Sequence, residues 1–365
     1  MKICFLAGAN SIHSFRWIKF FADKGHEIYW ISLAPNIFSD INAVKFYQLR
    51  EFSAKPLDIL FNIIPVRRLI KKINPDILHA HYAGVNGVLG ALSGFHPFLL
   101  TAWGSDVLIA AKSKITKPLI KFALDRADLI TCNGEPLKDE IVRMGISPQK
   151  IRFIYWGIDI KKFEPKPKDK ELRKALGIFE SPLIVSLRNL EPVYNVETLI
   201  NSVPLVLKNF PEAKFVIAGK GSKEADLKRL AEFLGVSGNI IFAGWISPDE
   251  LPRYLASADV SVSTSLSDGG LSQGTGQAMA CELPVITTDL KVNKDWIEDG
   301  ENGLLFPIKD SKSLAEKIIM LLKDEKLRIK LGKEGRRTIE EKLNYHKEME
   351  KVENLYIDLC KKNRI

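Results

Sequence analysis

Short aliphatic runs and longer amphipathic stretches alternate along almost the whole chain. Lys2 to Ala7 is apolar at consecutive positions and predicts a buried β-strand. A loop, Gly8-Ala-Asn-Ser-Ile-His13, precedes Phe15 to Ala22, whose apolar residues recur at helical spacing. Lys24-Gly25-His26 closes that helix before a second strand from Glu27 to Ser32, so the chain opens with a β-α-β unit. Asp76 to Ala80, Phe98 to Ala102, Asp128 to Cys132 and Ile151 to Tyr155 are further short strands with helix-length segments between them. Such alternation predicts a parallel sheet covered on both faces, because each parallel crossover runs through a helix.

A charged, proline-bearing segment, Phe163-Glu-Pro-Lys-Pro-Lys-Asp-Lys170, reads as a surface linker. A second series then begins, with strands at Leu183 to Leu187, Lys214 to Ala218, Ile240 to Phe242, Val260 to Val262 and Val285 to Thr287. Gly219-Lys220-Gly221 ends one of these strands in a tight turn. After a turn at Asn302 to Phe306 and one basic helix over roughly 311 to 335, Met349, Val352, Leu355, Tyr356 and Leu359 mark a last helix. The expected fold class is α/β, with two Rossmann-like doubly wound domains facing a central cleft, the place where open sheets bind ligands. The expected domains are residues 1–165, residues 175–340, and a terminal helix over 341–365 that packs back on the first.

Composition narrows the setting. The 365 residues are 46% hydrophobic, enough for two cores of ordinary size. No stretch approaches a membrane span, and the apolar N-terminal run is too short for a secretory signal. Cys4, Cys132, Cys281 and Cys360 lie far apart and form no CxxC pair, as expected of reduced thiols in a cytoplasmic protein. The formal charge of +9 is spread along the chain. Arg67-Arg68-Leu-Ile-Lys71-Lys72 is the local exception: beside the apolar Ile59 to Ile64 it forms a pattern that could rest on an anionic membrane surface. No zinc-finger spacing or aromatic RNA-binding motif accompanies the charge, so nucleic acid is not an expected partner.

The segment richest in chemistry runs from Ser265 to Ala280, through Asp268, Gly269, Gly270, Leu271, Ser272, Gln273, Gly274, Gly276 and Gln277, and then into a buried-type strand. Glycines let a backbone approach a ligand, and the open N–H groups of a helix start hold an anion without a metal, so the segment predicts a phosphate site. His13, His79 and His81 sit near strand ends as candidate ligand-facing histidines. His79-Ala-His81 lacks the further ligands a metal needs, and no metal site or cofactor is expected.

The chain resembles the retaining glycosyltransferases called glycosyl transferases group 1, family 4 of the sequence classification, which have the two-Rossmann GT-B fold. Four stretches carry the resemblance: Gly8 to Glu27; Thr101-Ala-Trp-Gly-Ser-Asp106; Phe242-Ala-Gly-Trp245 with Glu250 to Asp259; and Gln277-Ala-Met-Ala280 through Pro284-Val-Ile286, continued by Glu298 to Pro307. The resemblance implies a nucleotide diphosphate sugar donor on the C-terminal domain and a hydroxyl acceptor, whether glycan, lipid-linked or small molecule, on the N-terminal one. Arg188 occupies the position of the family's diphosphate-binding arginine. The family's following lysine is absent from Glu191-Pro-Val-Tyr-Asn195, which leaves Lys220 as a substitute cation and Lys220-Gly221 as part of the donor site.

Two further departures stand out. The family carries two glutamates eight positions apart, where this chain has Gly269 and Gln277, so Asp268 is the one carboxylate that segment can offer. Trp103 stands where the family often has a histidine beside the transferred sugar; it can stack on a sugar but is neither acid nor base. Asp106 is either a polar group of that site or a cap for the following helix. Gly8 and Ser11 are expected near the diphosphate or acceptor, and His13, His81 and Trp103 near the acceptor. The implied reaction is sugar transfer with retention of configuration, Arg188, Asp268, Trp103 and Asp106 being the catalytic candidates. The alternatives are a nucleotide-sugar epimerase and a catalytically weak or non-enzymatic binding protein. The expected location is cytoplasmic, with peripheral contact to the inner membrane face.

Overall fold

The computed structural model describes residues 1–38, 43–52, 55–109, 113, 116–268 and 270–362. The chain divides into two compact units, Met1–Trp156 together with His346–Ile365, and Gly157–Tyr345.

The first unit is built on seven parallel strands: β1 (Lys2–Leu6), β2 (Glu27–Ser32), β3 (Val44–Gln48), β4 (Ile77–His81), β5 (Phe98–Thr101), β6 (Leu129–Cys132) and β7 (Ile151–Phe153). Their order is β3-β2-β1-β4-β5-β6-β7, so the winding reverses between β1 and β4. Ile3 pairs with both Ile28 and Ile77 across that centre. Strands covered on both faces bury nearly every residue, as β1, β4, β5 and β6 do, with His79, His81, Thr101 and Thr131 buried among the apolar side chains. The last helix, Tyr345–Lys362, buries Met349, Val352 and Tyr356. Polar contacts tie it down along its length. Glu348 accepts from the Tyr155 N–H at 2.8 Å, Glu353 meets Lys24 at 2.6 Å and His26 at 2.8 Å, and the Cys360 thiol donates to the Asp76 carbonyl at 3.4 Å.

The second unit has six parallel strands: β8 (Leu183–Leu187), β9 (Lys214–Ala218), β10 (Ile240–Gly244), β11 (Val260–Ser263), β12 (Val285–Thr288) and β13 (Leu304–Phe306). Their order is β10-β9-β8-β11-β12-β13, with the reversal between β8 and β11. Each unit is thus a doubly wound, Rossmann-like α/β domain, in which ligands bind beyond the strand ends at such a reversal.

Three features differ from the sequence expectation. Strand β3 is an edge strand without a fully buried residue, and β13 is an apolar run of just three residues, so neither stands out in the sequence as a strand. The basic stretch expected as one helix is two, Ser311–Lys323 and Glu325–Lys342, because Asp324 leaves helical geometry and its carboxylate accepts the Leu327 N–H at 2.9 Å. The division between units falls at Gly157, upstream of the proline-bearing segment. Ile158 accounts for this: its N–H donates to Leu343 at 2.7 Å and its carbonyl accepts from Tyr345 at 3.0 Å, fastening the segment to the second unit. Gly157 is in the left-handed region (φ 64°), and a Cβ there would lie 2.4 Å from the Tyr345 Cα. Only glycine fits.

Candidate active site

In the second unit the chemistry gathers where β8 and β11 end. Arg188 follows β8 and is 9% exposed. Its Nη2 donates to Asp268 Oδ1 at 2.5 Å, its guanidinium lies 4.3 Å from the centre of the Tyr194 ring, and its Nε is buried with no partner among the described residues. The segment bearing Asp268 is anchored to the turn bearing Tyr194: the Leu266 N–H donates to the Val193 carbonyl at 2.8 Å, and the Thr264 hydroxyl to the Tyr194 carbonyl at 2.9 Å. Arg188 is therefore fixed between a carboxylate and an aromatic face.

The helix Gln273–Ala280 starts beside it. Ser272 caps that start, accepting the Thr275 N–H at 3.1 Å, and no acidic residue occupies the first turn. One cap satisfies one of the four N–H groups that such an end leaves open. A Cβ on Gly274 would lie 3.0 Å from the Leu187 Cβ, so the first turn packs on the residue preceding Arg188. The turn after β9 closes in as well. A Cβ on Gly219 (φ 137°) would be 2.4 Å from the Arg188 carbonyl oxygen, and one on Gly221 would be 2.3 Å from that of Leu190. The Leu190 N–H donates to the Lys220 carbonyl at 3.0 Å, while the Lys220 side chain is exposed and makes no ion pair among the described residues.

The glycines of the Ser265 to Ala280 segment divide by role. Gly274 and Gly276 serve packing, since a Cβ on Gly276 would meet Ile158 at 2.9 Å, whereas a Cβ on Gly270 (φ 158°) would have nothing within 4 Å. Leu271 packs beside Gly276, and Gln273 and Gln277 are half-buried on the helix. Gly269 lies outside the described residues. Glu191, in the stretch where the resemblance calls for a lysine, accepts the Ser222 hydroxyl at 2.6 Å and the Ser222 N–H at 2.9 Å, which hold its carboxyl below the usual range. Sequence reasoning missed Tyr194; the clue was an aromatic residue within the stretch that lacks the lysine.

In the first unit a recess at the strand ends is lined by His13, Arg16, Trp17, Trp103, Asn133 and Trp156, among others. Ser11 caps the helix Ile12–Asp23, its hydroxyl accepting the Ser14 N–H at 3.4 Å; Gly8 supplies the carbonyl of the turn before it. That cap sets His13 on the first turn. The His13 ring lies 4.0 Å from Trp156 and 5.3 Å from Trp103, and the two tryptophans are 5.4 Å apart, centre to centre. The Trp103 indole N–H is buried without a partner among the described residues. Asp106 fixes this arrangement. Fully buried, it accepts backbone N–H groups from Ala83 (2.7 Å), Trp103 (3.1 Å), Gly104 (2.9 Å) and Val107 (3.1 Å). Its carboxylate oxygens are taken up by these backbone N–H groups, which fix the loop carrying Trp103. Trp156 and Arg16 were also missed; Trp156 follows a strand end in Tyr155-Trp156-Gly157, a position of the same kind as Trp103.

His81 lies beneath Trp103, 2% exposed, with Nδ1 3.2 Å from the Ser14 hydroxyl; it supports the recess from within and is closed off from an acceptor. His79 is wholly buried between the Tyr356 hydroxyl (2.6 Å) and the Thr101 hydroxyl (2.7 Å). No group of three or more His, Cys, Asp and Glu side chains among the described residues is placed to hold a metal ion. Burial holds these imidazoles neutral. It pushes the His81 pKa down to about 3, helped by His13; it pushes His79 well below the usual 6.5, helped by His81; and it pushes His13 to about 4, helped by Arg16.

A pH dependence follows. The unfolded chain takes up protons at these histidines near 6.5 and the folded chain only at lower pH, so their contribution is complete above about 6.5 and is lost as the pH falls. His81 alone is expected to steepen the loss by about 1.4 kcal/mol per pH unit between about 6 and 4. Denaturant unfolding of the wild type and His81→Gln over that range checks it; identical slopes would contradict the assignment.

Residues 168–338 match the family model described as Glycosyl transferases group 1, and residues 2–134 match Glycosyl transferase 4-like. The chain is 34% identical over 295 residues to the putative glycosyltransferase EpsD of Bacillus subtilis, covering 76% of each chain. It is 25% identical over 360 residues to the N-acetyl-alpha-D-glucosaminyl L-malate synthase of Bacillus anthracis, covering 94% of this chain and 92% of that one. Its fold matches Anabaena HepE, crystallised in complex with UDP, at a TM-score of 0.81 and 18% identity, covering 98% of this chain and 100% of the other. The chain belongs to the glycosyltransferases of the GT-B fold, whose general activity is transfer of a sugar from a nucleotide-sugar donor to an acceptor.

Proposed function

We propose that this protein is a retaining glycosyltransferase of the group 1 type, moving a sugar from a nucleotide diphosphate sugar to a hydroxyl acceptor. One observation carries this reading. Arg188, the start of the helix Gln273–Ala280 and the Gly219–Gly221 turn are packed onto one another at the reversal point of a doubly wound sheet. That combination supplies a rigid fork of donors, a helix dipole and open N–H groups where a leaving diphosphate gathers charge. Lys220 adds a mobile cation and Gln277 an amide for the nucleoside ribose or the sugar hydroxyls. These cations and N–H groups answer the diphosphate charge, so the scheme needs no metal.

Bond breaking places negative charge on the diphosphate beside Arg188. The acceptor hydroxyl attacks from the face the leaving group has just left, and its proton passes to the departing phosphate oxygen. No protein base is required, which suits a chain whose recess offers Trp103 and His13, an imidazole that burial makes only weakly basic. Asp268, which pairs with Arg188, turns to the sugar hydroxyls when the diphosphate takes its place. The first unit holds the acceptor, with Trp103 and Trp156 as stacking surfaces and Arg16 as its cation. The buried thiols of Cys4, Cys132 and Cys281 favour a cytoplasmic setting.

Incubation with a panel of nucleotide sugars, beginning with UDP-sugars, and a panel of hydroxyl acceptors tests the reading. The expected product from an α-configured donor is α-linked, as seen in the anomeric proton coupling by NMR. A β-linked product would refute retention, and no nucleotide release with any donor would refute the transferase.

A further inference from the structure

The helix Lys55–Ile73 in the first unit has two different faces. Asp58, Asn62, Val66, Ile70 and Ile73 point inward and are buried. The inner polar pair is fully engaged: Asp58 accepts the Phe52 N–H at 2.7 Å, and the Asn62 amide donates to the carbonyls of Arg50 and Asp58 at 2.8 and 2.9 Å. At helical spacing along the opposite face stand Leu57, Leu60, Phe61 and Ile64, exposed by 40%, 63%, 56% and 58%. The same stripe then carries Arg67, Arg68, Lys71 and Lys72, all exposed and none in an ion pair among the described residues. From Leu57 to Lys72 the one acid is Asp58, on the buried side.

We infer that this outer face docks the protein on an anionic lipid bilayer. An isolated exposed leucine needs no explanation, but four large apolar side chains in one stripe do. The stripe is about 22 Å long, at about 1.5 Å per residue. It divides into an apolar half, suited to the acyl boundary, and a cationic half, suited to lipid phosphates. No helix among the described residues is long and apolar enough to cross a membrane, so the helix lies in the plane of the interface. A second copy of the chain would cover the apolar half and leave four cations unanswered, whereas an anionic bilayer answers both halves. The surface is separate from the residues proposed for sugar transfer, so docking stands or falls independently of that reading.

Co-sedimentation of the full chain with vesicles tests the inference. Vesicles of phosphatidylcholine with about a third phosphatidylserine are expected to capture the protein at least tenfold better than phosphatidylcholine alone, and raised salt should weaken the capture. Joint substitution Arg67→Gln, Arg68→Gln, Lys71→Gln and Lys72→Gln should abolish the preference for anionic vesicles. Joint substitution Leu60→Ser, Phe61→Ser and Ile64→Ser should lower capture by both. These side chains are exposed, so circular dichroism and nucleotide binding should stay as in the wild type. Equal capture of wild type and both variants would overturn the inference. So would concentration-dependent dimerisation abolished by the serine variant in a protein that ignores vesicles, which would give the face to a second copy.

Discussion

Arg188→Ala is expected to lower sugar transfer by about 10²- to 10³-fold, the range found when one preorganised donor to a developing oxyanion is removed. The size follows from how firmly the guanidinium is held. It sits on Tyr194, it is 9% exposed, and its backbone carbonyl is pressed by the Gly219 turn, so little reorganisation is needed as charge builds. Arg188→Lys should recover part of the loss, since it keeps the charge but gives up the fork and the ring stack. Truncation also leaves Asp268 unpaired at 12% side-chain exposure. A moderate drop in melting temperature is therefore expected, and the Lys variant separates it from the catalytic effect. Steady-state kinetics of the three proteins at one donor concentration series check the prediction; equal kcat/KM would remove Arg188 from the diphosphate site.

Gly332→Ala is expected to destabilise the second unit by about 3 kcal/mol, at the upper end of overpacking penalties. Gly332 faces the turn that follows the helix Gln273–Ala280. A Cβ there would lie 2.0 Å from the Glu282 carbonyl oxygen and 2.8 Å from its carbon, and Glu282 is itself in the left-handed region (φ 57°). Backbone on both sides cannot give way as a flexible side chain would. The helix Glu325–Lys342 must therefore move off, and with it the support under the far end of the donor-site helix. Gly238→Ala is the control, since nothing lies within 4 Å of its Cβ position, and it should stay within about 0.5 kcal/mol of the wild type. Calorimetric melting of the transition that bound nucleotide protects would show the difference. Similar melting of Gly332→Ala and the wild type would contradict it.

The legible parts of the fold were those in which burial is complete. Strands β1, β2, β8 and β9 are apolar over most of their length and stand within a residue of where their hydrophobic runs predict them. Strand β3, with Val44, Phe46 and Tyr47 half-covered at a sheet edge, is broken by Lys45 and Gln48 and offers no buried apolar run to read. At the site, the helix start follows from glycine spacing and Arg188 from the family resemblance. Their contacts do not. That Tyr194 lies against Arg188, or that Gly276 exists for Ile158 instead of a ligand, depends on neighbours distant in the chain. His81 shows the same limit: a histidine at a strand end reads as ligand-facing, and only the side of the sheet onto which it projects decides otherwise.

Arg188 and the start of the helix Gln273–Ala280 are proposed to form the diphosphate site of a nucleotide-sugar donor. Calorimetric titration of the wild type and Arg188→Ala with nucleoside diphosphates tests it most directly. The account predicts that one nucleoside diphosphate binds the wild type and that Arg188→Ala binds it at least about tenfold more weakly, as loss of a charge-assisted contact implies. Equal affinity for the two proteins, or no binding of any nucleoside diphosphate to the wild type, would contradict it.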